Sequence, residues 1–221
     1  MSLNDDVARY YSARAPEYDL TAGYADPAAE KLRASIKARY QEAFRDHDVL
    51  EVACGTGYWT EVVASTAKSV LAIDVNPSMI ELARKRLSGI KSVHCQVADA
   101  YSLDGIPGGF SAAFAVWWWS HIPRSRIAEF LAALHSRLLP GAFVLFVDQL
   151  PTAYKAQNRY LDSSGDLVEQ RILEDGRSFT VVKNFPTEQE LRRVLGEIAE
   201  DVCYKEHPDE HSWNVSYSVK E

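Results

Sequence analysis

Apolar residues along this chain fall into two alternating rhythms. Leu32, Ile36, Tyr40 and Phe44 recur every fourth position behind Asp26-Pro27, which reads as a helix with an N-cap and a first-turn proline. "DVLEVA" (48–53) then reads as a buried strand, and Gly55 and Gly57 turn the chain into a helix whose apolar face is Trp59, Val62 and Val63. "SVLAID" (69–74), "SVHCQVAD" (92–99), "FSAAFAVWW" (110–118) and "AFVLFVD" (142–148) read as four more strands. Asn76-Pro77 opens a helix with Ile80, Ala83 and Leu87 inward; Ile127, Phe130, Leu131, Leu134 and Leu138 mark another, ended by a "PG" turn. Strands that are apolar throughout and separated by helices predict a parallel sheet covered on both faces.

Beyond Leu150 the pattern changes. Residues 167–185 alternate about an Asp-Gly turn and predict an inserted β-hairpin. Thr187 and Glu190 form a capping box for a helix with Leu191, Val194, Leu195 and Ile198 inward. The chain closes with "DVCYKE" and "SWNVSYSV", in which Trp213, Val215, Tyr217 and Val219 alternate strictly. Their tight connection makes the pair antiparallel and adds it to the sheet.

A length of 221 residues suits one domain with a substantial core. Net charge is −7, and the densest basic cluster, "LARKRL" (82–87), reads as a solvated helix face, so nucleic acid is not an expected partner. Cys54, Cys95 and Cys203 are odd in number and far apart, which argues against a disulfide framework and points to a reducing, cytoplasmic compartment. Apolar runs are too short to span a bilayer, and "MSLNDDVARYY" lacks the apolar core of a secretory signal. The histidines show no convergent ligand spacing, so no metal is expected.

The chemistry concentrates in "VLEVACGTG" (49–57) and Asp74. In open α/β sheets ligands lie at the carboxyl ends of strands, and a glycine turn there lets them approach the backbone. Asp74 ends its strand where a carboxylate accepts from both ribose hydroxyls, which suits a dinucleotide or an S-adenosyl ligand. "GTGYWT" puts Thr60 where a dinucleotide fingerprint needs its third glycine. Glu51 at a strand end suits a ligand ammonium and repels a pyrophosphate, while Asp99 is placed to accept from an adenine amine.

"VLEVACGTG", "AIDVNPSMIELAR", "VADA" and "RLLPGAFVLFVD", in that order, resemble the class I S-adenosylmethionine-dependent methyltransferases over most of residues 7–150. The resemblance implies a Rossmann-like seven-stranded mixed sheet, five parallel strands plus a C-terminal antiparallel hairpin, in a single domain (1–221) with an N-terminal lid (1–25) and an inserted cap (151–186). It implies that Glu51, Ala53 and Gly55 hold the methionine portion, with Cys54, Gly57 and Met79 nearby. Asp74 takes the ribose, Val75 packs on adenine, Asp99 and Ala100 meet its edge, and Val116 and Trp117 offer carbonyls to the amino group. The family usually has glycine where Ala53 stands.

The resemblance extends to "ARYYSARAPEYD" (8–19): Tyr11, Arg14 and Tyr18 close the methionine end, the alternative being a surface helix packed on the sheet edge. In "WWWSHIP" (117–123), Trp118 and Trp119 are candidate acceptor contacts, although at least one tryptophan of the run is expected in the core. His121 is the first candidate general base and Asp148 the second; Arg171 and Lys183 read either as ligands of an acidic acceptor or as exposed strand charges. No Asn/Asp-Pro-Pro-aromatic signature occurs, and "DQLP" (148–151) does not match it. The expected activity is direct methyl transfer from S-adenosylmethionine, yielding S-adenosylhomocysteine, to a small-molecule acceptor by a monomer or homodimer without membrane or metal. The alternatives are a non-catalytic S-adenosyl-binding module and an NAD(P)-dependent oxidoreductase.

Overall fold

The computed structural model describes residues 3–24, 26, 30–153 and 158–220. Its helices are α1 (Leu3–Arg14), α2 (Tyr18–Thr21), α3 (Glu30–Ala43), α4 (Tyr58–Ala64), α5 (Pro77–Arg86), α6 (Ile127–His135) and α7 (Glu188–Leu195). The strands are β1 (Asp48–Val52), β2 (Ser69–Asp74), β3 (Val93–Val97), β4 (Phe110–Val116), β5 (Leu138–Gln149), β6 (Arg159–Leu161), β7 (Leu167–Ile172), β8 (Ser178–Val182), β9 (Ala199–His207) and β10 (Ser212–Val219). The expected first-turn proline of α3, Pro27, lies outside the described residues.

Seven strands form one sheet in the order β3-β2-β1-β4-β5-β10-β9. The first five pair in parallel, and β10 runs antiparallel between β5 and β9. Alternation along β1 explains its apolar character. Leu50 and Val52 pack into one layer with Phe130, Leu131 and Leu134 of α6, while Val49 faces Phe44, Val63 and Phe114 in the other. The chain leaves β1 toward β3 in one direction and β4 toward β5 in the other, which opens a crevice at the carboxyl ends of β1 and β4.

Local chemistry departs from the sequence reading at four places. Pro140-Gly141 lies within β5, which starts at Leu138; Gly141 has φ +75°, and the pairing with β4 slips there. Asn76 is the N-cap of α5 in extended backbone, but its side chain makes no cap bond; its amide is held by the Asp74 carboxylate. The basic cluster on α5 is more than a solvated face, since Arg84 donates to the Cys95 carbonyl and Arg86 pairs with Asp19. The inserted hairpin is a three-stranded sheet, β6-β7-β8, because Arg159–Leu161 adds an edge strand too short for its alternation to show. The Thr187–Glu190 capping box forms as expected.

Helix α1 does not lie on the edge of the main sheet. Val7 and Tyr10 pack on Phe179 and Val181 of β8, so α1 and the three-stranded sheet share one apolar seam. That unit is tied to the loop after β4 by three successive residues. Val182 O meets His121 Nδ1 (2.7 Å), Lys183 Nζ donates to Ser120 Oγ (2.8 Å), and Asn184 N donates to Ser120 O (2.8 Å).

Candidate active site

A cavity of about 270 Å³ opens at the crevice, bounded by α1, the ends of β1, β2 and β4, and the loop after β3. Of the residues expected at a cofactor, Tyr11, Tyr18, Ala53, Gly55, Asp74, Val75, Met79, Asp99, Ala100, Val116 and Trp117 line it. Trp118 and His121 line its far end. Ala53 and Trp117 both hold left-handed backbone, with φ +55° and +60°. This explains why glycine suits position 53, and it shows that a methyl group is accepted there.

The two glycines have separate duties. Gly55 (φ +56°) faces the cavity, where a Cβ would find only Tyr18 Cε1 at 3.9 Å. Gly57 (φ +81°) does not line the cavity: a Cβ there would sit 2.9 Å from Leu87 Cδ1 and 3.3 Å from the Ala83 backbone. It therefore supplies the close approach of the turn to α5. Cys54 is also removed from the cavity, buried with Ala72, Ile80 and Leu87, and burial pushes its thiol well up.

Two buried acids stand behind the turn. Asp74 accepts the amides of Gly55 (3.0 Å) and Asn76 (2.8 Å); burial still outweighs those bonds and raises it to about 6. Glu51 is 2% exposed, accepts the Thr60 hydroxyl, and is raised by burial to about 8. It does not line the cavity and stands one layer behind its wall. Thr60, the residue that breaks the dinucleotide fingerprint, is its partner.

The lid residues divide. Arg14 turns away from the cavity, donating to Thr21 Oγ1 (2.9 and 2.6 Å) with its guanidinium over the Tyr18 ring. Asp19 fastens α2 over the glycine turn by accepting the Thr56 hydroxyl (2.6 Å) and pairing with Arg86. Tyr11 reaches toward the loop after β4, with its hydroxyl 2.8 Å from His121 Nε2 and 3.4 Å from Arg171 Nη1.

Around His121 the hydrogen bonds fix the chemistry. A carbonyl only accepts, so Val182 O places the proton on Nδ1 and leaves Nε2 to accept from Tyr11. Burial, with Lys183 and Arg171 nearby, holds the imidazole well below its usual range, so it is neutral at pH 7.

Four further expected site residues are placed elsewhere. Asp148 is fully buried, accepts the amides of Ser120 (2.8 Å) and Gln149 (2.7 Å), and pairs with Lys183 (3.5 Å); its oxygens hold the His121 loop and do not reach the cavity. Trp119 is core, 5.1 Å from the Phe146 ring and packed edge-on against Trp213. Arg171 does not line the cavity itself; it pairs with Glu169 and touches Tyr11. Lys183, likewise, is buried against Asp148 and Ser120. Sequence reasoning missed Asn76 as a wall, and Tyr101 with Arg126, whose guanidinium lies 3.5 Å over the Tyr101 ring. Asn76 was visible as a cap beside Asp74; nothing in "PRSRI" (123–127) distinguishes Arg126 from an exposed helix-start arginine.

A family model described as "Methyltransferase domain" matches residues 49–141. The malonyl-[acyl-carrier protein] O-methyltransferase of Serratia marcescens is 26% identical over 140 residues, 63% of this chain and 51% of that protein. The chain thus spans about half the length of the curated relatives it matches. A solved complex of DhpI with SAH is 31% identical with a TM-score of 0.78, covering 100% of this chain and 99% of that one. A complex of DhpI with SAM and HEP is 29% identical with a TM-score of 0.77, covering 98% and 99%.

Proposed function

Because the chain belongs to the class I S-adenosylmethionine-dependent methyltransferases, we propose that it transfers the methyl group of S-adenosylmethionine to a small-molecule acceptor seated beneath α1. The observation that carries this reading is one continuous cavity. It runs from Asp99 and Val75, past Asp74 and Gly55, to Trp118, Tyr11 and His121. The residues suit the cofactor: Val75 is an apolar side chain left 46% exposed at the adenine end, and Gly55 presents bare backbone to the methionine end.

Bound there, the cofactor supplies a methyl group on sulfonium sulfur, a group that already carries its leaving group. The protein then has to align the acceptor, exclude water and deal with one proton. Aromatic faces of Tyr11, Tyr18, Trp117 and Trp118 serve the first two tasks and favour positive charge. A cavity of about 270 Å³ lies at the small end of ligand pockets, which supports a compact acceptor. Arg171 beside Tyr11 supports a polar or acidic group on it, and the O-methyltransferases among the relatives support oxygen as the methylated atom.

A dinucleotide oxidoreductase is not favoured, because Thr60 stands where its fingerprint needs a third glycine and is bonded to the buried Glu51 at the base of the turn. The three free cysteines support a reducing compartment such as the cytoplasm. Among the described residues no helix is long and apolar enough to cross a membrane, and no group of residues is arranged to hold a metal ion.

The test is S-adenosylhomocysteine release from a panel of small hydroxy acids, carboxylates, phenol, 4-nitrophenol and primary amines. Turnover on one class supports the reading and names the acceptor chemistry. Tight S-adenosyl binding without turnover on any class would favour the non-catalytic module.

A further inference from the structure

We propose that Tyr11, carried on α1, receives the acceptor's proton, with His121 behind it as the base that draws Tyr11's own proton away. This rests on the methyl-transfer reading above and assigns Tyr11 to the acceptor, not to the methionine end.

The geometry leaves Tyr11 little choice. A phenol has one proton and two lone pairs. Its proton points to Nε2 of His121, which is bare because Nδ1–H is committed to Val182 O. One lone pair faces Arg171 Nη1 at 3.4 Å. The remaining lone pair belongs to a residue that lines the cavity, and it can accept from a donor bound there. An acceptor that must lose a proton is such a donor.

The surrounding charges keep the imidazole neutral, and so able to take a proton, before the step. Arg171 on β7 (paired with Glu169), Lys183 after β8 (paired with Asp148) and Arg14 on α1 all bear on His121 and oppose an imidazolium. The Arg171 guanidinium also donates to the Tyr11 oxygen, which orients that hydroxyl toward His121. Tyr11 thus relays the acceptor's proton, and the neutral imidazole takes up the proton that Tyr11 gives away.

The step balances as follows. The acceptor's lone pair forms the new bond to the methyl carbon as the carbon–sulfur bond breaks, its electron pair staying on sulfur. The acceptor's proton passes to Tyr11 Oη, and Tyr11's own proton passes to His121 Nε2. The imidazolium returns that proton to water once product has left.

Tyr11→Phe isolates the hydroxyl, because the ring keeps its edge contacts with Tyr10, Tyr18 and His121 and α1 stays packed. Two measurements decide. Nitrogen NMR of the histidine ring is expected to show Nδ1–H with an unprotonated Nε2, whose resonance moves downfield in Tyr11→Phe as it loses its donor. An Nε2–H tautomer, or no change in the variant, would overturn the proposal. In turnover at about pH 8.5, Tyr11→Phe is expected to lower kcat about 10²-fold with KM little changed on phenol, still protonated there, and far less on 4-nitrophenol, ionised there. An equal loss on both would mean a merely structural hydroxyl and would also overturn it. No wild-type turnover on any panel member sinks the methyl-transfer reading. Wild-type turnover that Tyr11→Phe leaves untouched sinks this proposal alone.

Discussion

Binding of the cofactor should expel close to one proton, and Glu51 should be its source. In the free protein burial holds Glu51 at about 8, so at pH 7 it is ~90% protonated. A ligand ammonium brought within about 4 Å contributes ~4 kcal/mol at an effective dielectric of ~20, which lowers the carboxyl by ~3 units to about 5. At pH 7 that releases ~0.9 proton. The ligand's own amino group, near its ordinary pKa, takes back ~0.1. Asp74, at about 6, adds ~0.1. The net is roughly 0.9 at pH 7, falling to ~0.1 from Glu51 by pH 9. Titration calorimetry with S-adenosylhomocysteine, in buffers of different ionisation enthalpy, reads this number as the slope of observed against buffer enthalpy. Glu51→Gln should remove most of the slope and weaken binding. A wild-type enthalpy independent of buffer at pH 7 would refute the reasoning, because Glu51 would then be ionised already or remote from the ammonium.

The same acid sets the pH dependence of the free protein. Its folded pKa lies above its unfolded value, so the native state binds more protons between about pH 4.5 and 8 and stability falls as pH rises through that window; the melting temperature should drop by roughly 5–10 °C from pH 6 to 8, less in Glu51→Gln. Gly57→Ala should cost about 2–4 kcal/mol in urea unfolding, from left-handed strain plus the clash with Ala83 and Leu87, whereas Gly55→Ala should cost about 1 kcal/mol and mainly weaken S-adenosylhomocysteine binding. Lys183→Met should destabilise by about 3–5 kcal/mol by leaving Asp148 buried without its cation, and Lys183→Met with Asp148→Leu should recover part of that in the same assay. Asp19→Ala should speed S-adenosylhomocysteine dissociation in stopped flow with little change in melting temperature, since it unfastens α2 from the glycine turn at a half-exposed pair.

Local patterns that carry their own geometry were legible in the sequence. Apolar runs of strand length gave all seven strands of the main sheet, and Asp74 and Gly55 stand at the cavity because a strand end and a turn are encoded side by side. The strand Arg159–Leu161 was not legible, because three residues cannot show a period of two convincingly. Asp148 looked like a base because strand ends carry site residues, but whether a carboxylate faces a cavity or a buried lysine 35 positions away depends on tertiary packing. Tyr11 was expected beside a ligand and does line the cavity, but its contacts were not legible. Its partners, His121 and Arg171, lie 110 and 160 residues further along the chain.

The seam between α1 and β8 makes the Tyr11–His121 end of the cavity a two-piece cassette. The family match covers residues 49–141, and both pieces lie outside it. Exchanging acceptor preference with a relative by grafting the three-stranded sheet alone would leave Val7 and Tyr10 facing a foreign strand, and would deliver Tyr11 to His121 from a helix with no matching seat. Over evolutionary time the same seam ties the two insertions together: a change in one becomes selectable when the other has changed to fit.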